Sequence, residues 1–426
     1  MTHPSRNDFK HNVLVNLIDG GFFGLAIGLA SFTTILPLFV STMTESATLI
    51  GLVPAIHNMG WQLPQLFTSK KISRMAVLKP FVMINTINER VPFLALAVIA
   101  WTLPEIGTTT GLILTFLALI WQGIGAGLAA NAWQNLIGKV IPPDFLATFF
   151  GLQAAASNLL SSLGAFTAGF ILDRNPGPRG FAFSFLSAFT FMVVSWVFLN
   201  QTRELPVERP ESQAPQSSLW KSIHNIFSNN RPFVWFLTSR LLYYLGMMAF
   251  AFFIVYAVRK LGMNEIQAGV LTSVLLITQM AANIFLGRLA DKWSRKGVIE
   301  LGAVAGVASC LLAWLAPNAA WFYPVIILEG IANTAFWTIG FPILLEFGSE
   351  EQRPLFVGLG NTLVAPVAIL SPILGGWLAD NISYPIAFLI SGLFGVTAVL
   401  ILHFFVTDPK SRQKSALTLN DAKSGA

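Results

Sequence analysis

The chain has 426 residues, 54% of them hydrophobic and only 11% charged, with five histidines and a single cysteine. A soluble domain carries about 25% charged residues, so this composition excludes an ordinary soluble protein and describes a chain made for lipid. The net charge of +6 and the pI near 9.5 do not point to nucleic acid, because the basic residues sit in short stretches between apolar runs with no stacking aromatics among them. Cys310 lies in an apolar run, which excludes an intrachain disulfide and most thiolate metal sites; no metal and no cofactor is expected.

Residues 1–12 are polar, and the apolar run after them is too long for a signal-peptide core and lacks a clear cleavage site, so it reads as a retained first span. A helix needs about 20 apolar residues to cross the hydrocarbon. That length predicts spans at 13–40, 49–68, 81–103, 108–137, 147–172, 181–200, 232–258, 267–287, 298–316, 322–347, 356–379 and 385–406. The class is all-α: twelve transmembrane helices in two sets of six, an N-terminal bundle over 1–200 and a C-terminal bundle over 232–407. No segment alternates like a membrane β-strand. In the connection over 201–231, Glu204 to Ser218 is rich in Pro, Glu, Ser and Gln and reads as a flexible linker. Leu219, Trp220, Ile223, Ile226 and Phe227 then recur at helical spacing and predict a short amphipathic helix on the inner membrane surface. The polar tail over 408–426 is expected to be disordered.

Lys and Arg set the orientation. With the N-terminus inside, the inner segments hold 20 of them and the outer loops 4, namely Arg174, Arg179, Arg259 and Lys260. Both termini are therefore expected on the cytoplasmic side of a plasma membrane, the inner membrane if the source is bacterial.

The two sets are related by internal repeats. At an offset of 221, Lys71-Ile72-Ser73-Arg74 answers Lys292-Trp293-Ser294-Arg295; at 207, Phe149-Phe150-Gly151-Leu152 answers Phe356-Val357-Gly358-Leu359. A duplicated membrane chain usually works at a site between its halves.

Gly287-Arg288-Leu289-Ala290-Asp291-Lys292-Trp293-Ser294-Arg295-Lys296, between spans eight and nine, resembles the G-x-L-A-D-R-x-G-R-K loop of the major facilitator superfamily. It departs at Ser294, where the family has Gly. The resemblance extends to span count, duplication and the long middle loop. It implies two six-helix bundles around a central cavity, and a cytoplasmic gate at Gly287, Asp291, Arg295 and Lys296. Gly287 would let two helices approach closely, and Asp291 would meet a basic residue or a helix N-terminus. In the matching first-half loop, Leu66 and Lys70 stand at the glycine and aspartate positions, so the latch is expected to work mainly through the second half. Trp121-Gln122-Gly123-Ile124-Gly125 resembles the tail of the family's R-x-x-Q-G-x-G motif, but Leu119 replaces the arginine tied to proton coupling in the drug exporters.

Ionisable groups inside spans are functional candidates by default. The offset of 221 pairs Asp19 with Arg240, on first helices that face each other across the cavity in the family. Asp19 is the first candidate for a proton or cation site, and Arg240 for an anionic substrate group or as partner of Asp19. Phe22 and Phe23 follow Asp19, and Tyr243, Tyr244 and Met247 follow Arg240, as an adaptable aromatic wall. Asn58, Trp61 and Gln62 on span two answer Gln279 and Asn283 on span eight, giving a polar lining. The offset of 207 matches Gln122 with Glu329, the second coupling candidate, with Asn333 and Trp337 on the same face. Glu89 and Arg90 read as a structural pair, or as a sign that helix three starts later; Glu346 reads as interfacial.

These features predict a monomeric secondary transporter that moves a small organic solute by alternating access with proton coupling, export being favoured. A sugar or organic-anion uptake permease and a non-transporting sensor on the same fold are the alternatives. An enzyme is disfavoured because His3, His11, His57, His224 and His403 are scattered, and a direct ATP-driven pump because no phosphate-cradling G-x-x-x-x-G-K-[ST] run occurs. Arg240→Ala is expected to lose substrate affinity in a binding assay; unchanged affinity would make Arg240 a structural charge.

Overall fold

The computed structural model describes residues 6–32, 34–44, 47–206, 219–263 and 265–407. No strand occurs among the described residues. In chain order the helices are α1 (Arg6–Leu29), α2 (Ile35–Ser41), α3 (Ala47–Gln62), α4 (Gln65–Ser73), α5 (Lys79–Ile106), α6 (Thr108–Val140), α7 (Leu146–Arg174), α8 (Pro178–Leu199), α9 (Leu219–Asn229), α10 (Arg231–Gly246), α11 (Phe253–Leu261), α12 (Glu265–Lys292), α13 (Arg295–Leu315), α14 (Phe322–Leu344), α15 (Arg353–Thr362), α16 (Ala365–Asn381) and α17 (Tyr384–Phe405). Eleven stretches among the described residues are long and apolar enough to cross a membrane. The twelfth expected span, 49–68, is present as the two shorter helices α3 and α4. The amphipathic helix expected after the linker is α9, which buries Ile226 and leaves Trp220 exposed. Most of the linker (207–218) and the tail from 408 onward lie outside the described residues.

Several spans that the sequence suggests are continuous are broken, and proline is the usual cause. Pro37 has no N–H for the carbonyl four residues back; α1 stops at Leu29, and the Leu36 N–H donates to Ser31 O at 2.9 Å. Pro64 splits α3 from α4, and Pro366 follows the break between α15 and α16. Hydrocarbon offers no water to freed backbone groups, so the protein must satisfy them. At the α3–α4 break, Asn131 Nδ2 donates to Gln65 O at 2.8 Å, and Thr362 Oγ1 donates to Gln62 O at 3.0 Å and Leu63 O at 3.3 Å. Span seven changes to a 3-10 turn over Met247–Phe252 without a proline. Just before it, Ser371 Oγ donates to Tyr244 O at 2.6 Å and Cys310 Sγ lies 3.9 Å from Gly246 O.

The helices gather into two compact units. One comprises Met1–Pro142, Leu152–Arg209 and Val357–Ala365; the other comprises Pro143–Gly151, Pro210–Phe356 and Pro366–Ala426. The short segments 143–151 and 357–365 each join the unit built mainly from the other half of the sequence, and they hold all but Leu152 and Phe356 of the repeat at offset 207. A glycine in or beside each repeat makes a backbone contact that a side chain would prevent. A Cβ on Gly151 would collide with the Asn283 carbonyl, and one on Gly358 would stand 2.9 Å from Leu66 Cα. In the first unit α1 packs on α8, α8 on α5, and α5 and α3 on α6. Its core is rich in phenylalanine: Phe39, Phe93 and Phe185 are fully buried. The second unit packs α13 on α14 and α17, with Phe253, Phe322 and Phe388 at its centre.

Candidate functional site

In the first unit, Asp19 on α1 is buried where three helices meet. Ser195 Oγ on α8 donates to its Oδ1 at 2.6 Å, and the Arg90 guanidinium on α5 lies 3.7 Å from the same oxygen. Arg90 also donates to Thr86 O and Met192 O, both at 3.2 Å, and to Ser195 Oγ at 3.1 Å. Glu89 lies 3.5 Å from Arg90, and the Phe23 ring lies under the guanidinium at 5.7 Å. The sequence offers Arg240 as a partner for Asp19; in the structure the cation beside Asp19 is Arg90. Helix α5 begins at Lys79, so a late start does not explain Glu89 and Arg90. Phe22 stacks on Phe191 and Phe198 of α8, with centroids 6.0 and 6.2 Å away, and so serves the α1–α8 contact.

An amide cluster lies on α3, α4 and α6. His57 Nδ1 is 3.0 Å from Gln122 Oε1, and the His57 ring stacks on Phe32 at 3.8 Å. Asn361 Nδ2 donates to Gln65 Oε1 at 2.7 Å. Gln122 Nε2, Gln62 Oε1 and both polar atoms of Gln134 are buried without a hydrogen-bond partner among the described residues. Buried amides left in this way call for water or a polar solute. Asn58 is exposed and Trp61 half-buried. No repeat partner marks Gln134; its signal in the sequence is that it shares α6 with three other amides, Gln122, Asn131 and Asn135.

In the second unit, Arg240 on α10 is buried and hydrogen-bonds the Tyr244 hydroxyl. Its guanidinium lies 5.9 Å from the Phe336 ring, on which Tyr243 stacks at 3.7 Å. Trp337 meets Tyr244 edge-on at 6.3 Å. Met247, at the start of the 3-10 turn, is half-buried. Glu329 on α14 is only 7% exposed; its Oε2 has no hydrogen-bond partner, and no ion pair reaches it among the described residues. Asn333 is half-buried one turn further on. Asn283 accepts from Thr338 Oγ1 and donates to Gln279 O at 2.9 Å; Gln279 is half-buried. No cluster of three metal-ligating side chains occurs among the described residues.

The motif residues gather at the end of α12. Asp291 accepts from the Ala147 and Thr148 N–H groups at 3.1 and 2.6 Å, in the first turn of α7, where backbone donors lack helical partners. Arg295 pairs with Asp291 at 3.1 Å and also bonds Glu346 and the Pro143 carbonyl. Glu346 is thus a member of the network rather than an interfacial charge. A Cβ on Gly287 would stand 2.7 Å from Ala147 O. Ser294 caps α13 by accepting from Gly297 N at 2.9 Å, a role for the residue that departs from the motif. Lys296 instead pairs with Glu300 at 3.2 Å and donates to His403 O at 2.9 Å.

Removing one partner of a buried ion pair costs about 3–5 kcal/mol, whereas replacing both by apolar or neutral groups costs far less. Arg90→Met is therefore expected to lower stability by that order in thermal unfolding in detergent. Adding Asp19→Asn should restore most of the loss; a double variant as unstable as the two single changes summed would contradict the pairing.

Residues 236–423 match the family model described as Major Facilitator Superfamily. The multidrug resistance protein MdtL of Escherichia coli O81 (strain ED1a) is 29% identical over 146 residues, which is 34% of this chain and 37% of that protein. The chain thus matches well under half the length of this curated relative. Among solved structures, the E. coli fucose:proton symporter FucP superposes with a TM-score of 0.73 at 14% identity, over 93% of this chain and 99% of that one. A bacterial homologue of the iron transporter ferroportin, in its outward-facing state, gives 0.75 at 13% identity over 93% and 99%. At such identities the likeness establishes the fold. Residues 236–423, under half of the chain, thus match the model of that family, and the fold of these solved structures extends along almost the whole chain.

Proposed function

We propose that the protein is a proton-coupled secondary transporter that exports a small organic solute by alternating access. The match of residues 236–423 to the family model supports transport, and the name of the multidrug resistance relative favours export. The excess of Lys and Arg in the inner segments, 20 against 4, supports cytoplasmic termini in a plasma membrane.

Glu329 carries the coupling half of this reading. A charge inside the membrane needs a counter-charge or a function. Asp19 has its counter-charge in Arg90 and a hydrogen bond from Ser195. Glu329 has an unpartnered carboxyl oxygen and no ion pair among the described residues. We assign proton uptake and release to Glu329, and to Asp19 the binding together of α1, α5 and α8. Arg240, with Tyr244 and Phe336, suits a solute with an aromatic body and an anionic or strongly polar group. Asp291 and Arg295 act as a latch on the first turn of α7.

The test is flux into proteoliposomes under an imposed pH gradient, screened with lipophilic dyes and aromatic organic anions. Glu329→Gln should abolish accumulation against the gradient while preserving exchange of substrate at equal pH. Gradient-driven accumulation at the parental rate would remove Glu329 from coupling, and binding without flux in the parent protein would favour a sensor.

A further inference from the structure

A groove of about 670 Å³ opens on the first unit where α5 begins and the chain leaves α8. Its wall includes Lys79, Pro80, Met83, Ile84 and Arg203. Glu204 also lines the groove, but its carboxylate is not available to a cationic ligand. It accepts from Leu78 N at 2.8 Å, Lys79 N at 2.7 Å and Lys139 Nζ at 2.7 Å, and its side chain is 1% exposed. The same contacts occupy the first backbone donors of α5, so an anion must find its donors in side chains. Arg203 is half engaged with Asp8 at 2.9 Å, while the Lys79 ammonium has no ion pair or hydrogen bond among the described residues. Among the described residues the mouth therefore keeps a net positive charge.

Below the mouth, α5 and α8 present an aliphatic track. Ile84 is 64% exposed, and Ile87, Val193 and Val197 are also exposed on these two helices. Trp196 lies beside it, its indole N–H donating to Met83 O at 3.1 Å, in the amphipathic position tryptophan favours at the membrane–water boundary. A cation at a membrane boundary above an exposed aliphatic strip complements a molecule with an anionic head and a hydrocarbon tail.

We propose that this groove binds an anionic phospholipid, its phosphate on Lys79 and its acyl chain along Ile84 and Ile87. The test uses the full chain in mixed bilayer nanodiscs of phosphatidylglycerol and phosphatidylcholine, with retained lipid counted by native mass spectrometry. Phosphatidylglycerol should be retained in preference to phosphatidylcholine. Lys79→Gln should weaken its retention about fivefold, the effect of losing one cation near the surface. Lys292→Gln, the same charge change at an exposed position at the end of α12, should leave retention unchanged. Equal retention in the Lys79→Gln and parent proteins would overturn the proposal, as would equal retention of both lipids. A second arm compares thermal protection in detergent by phosphatidylglycerol and by inorganic phosphate at the same concentration. Protection by the lipid alone is expected; equal protection by phosphate would assign the groove to a free anion instead.

Discussion

Hydrocarbon gives polar groups nothing to bond to, and much of this protein's architecture answers that constraint. Each helix break frees carbonyl groups, and side chains stand ready at the breaks. Thr362 serves the carbonyls freed at Pro64, and Ser371 and Cys310 serve the carbonyls before the 3-10 turn of span seven. Broken helices are tolerated because their exposed ends are paired. The same requirement explains why Asp19, Arg90 and Ser195 lie together: a buried carboxylate, a buried guanidinium and a hydroxyl supply each other's missing solvent.

Seen through that constraint, the two halves of the duplication have diverged in how they hold helix starts. Asp291 accepts from the Ala147 and Thr148 N–H groups. At the offsets of the repeats, the equivalent residues are Lys70 for the acid, and Pro354 and Leu355 for the donors. Proline has no N–H to offer. The acid and one of its donors are thus both missing from the other copy, where neutral contacts stand instead: Asn361 on Gln65 and Thr362 on the freed carbonyls. One copy is held by charge and the other by amide and hydroxyl groups, so only the first should weaken when its acid is neutralised.

The architecture was legible because lipid imposes a length and a polarity on each span, and duplication repeats both. Helix breaks were less legible: Pro37, Pro64 and Pro366 are visible in the sequence, but Pro92 and Pro104 lie inside the unbroken α5, so proline alone does not decide. The role of Asp291 at a helix N-terminus followed from its motif. The partner of Asp19 did not, because a repeat identifies equivalent positions and not neighbours. Contact depends on α1, α5 and α8 packing together, and Ser195 is one small residue in an apolar helix. Glu346 reads as merely interfacial for a similar reason, since its link to Arg295 joins residues 51 apart in the chain.

We propose a division of labour between two buried acids, in which Arg90 fixes Asp19 and Glu329 exchanges its proton. Infrared difference spectroscopy of the reconstituted protein, recorded across a pH change with and without a transported solute, reads carboxyl protonation directly. A solute-sensitive carboxyl band should disappear in Glu329→Gln and persist in Asp19→Asn. A band that persists in Glu329→Gln and disappears in Asp19→Asn would contradict it.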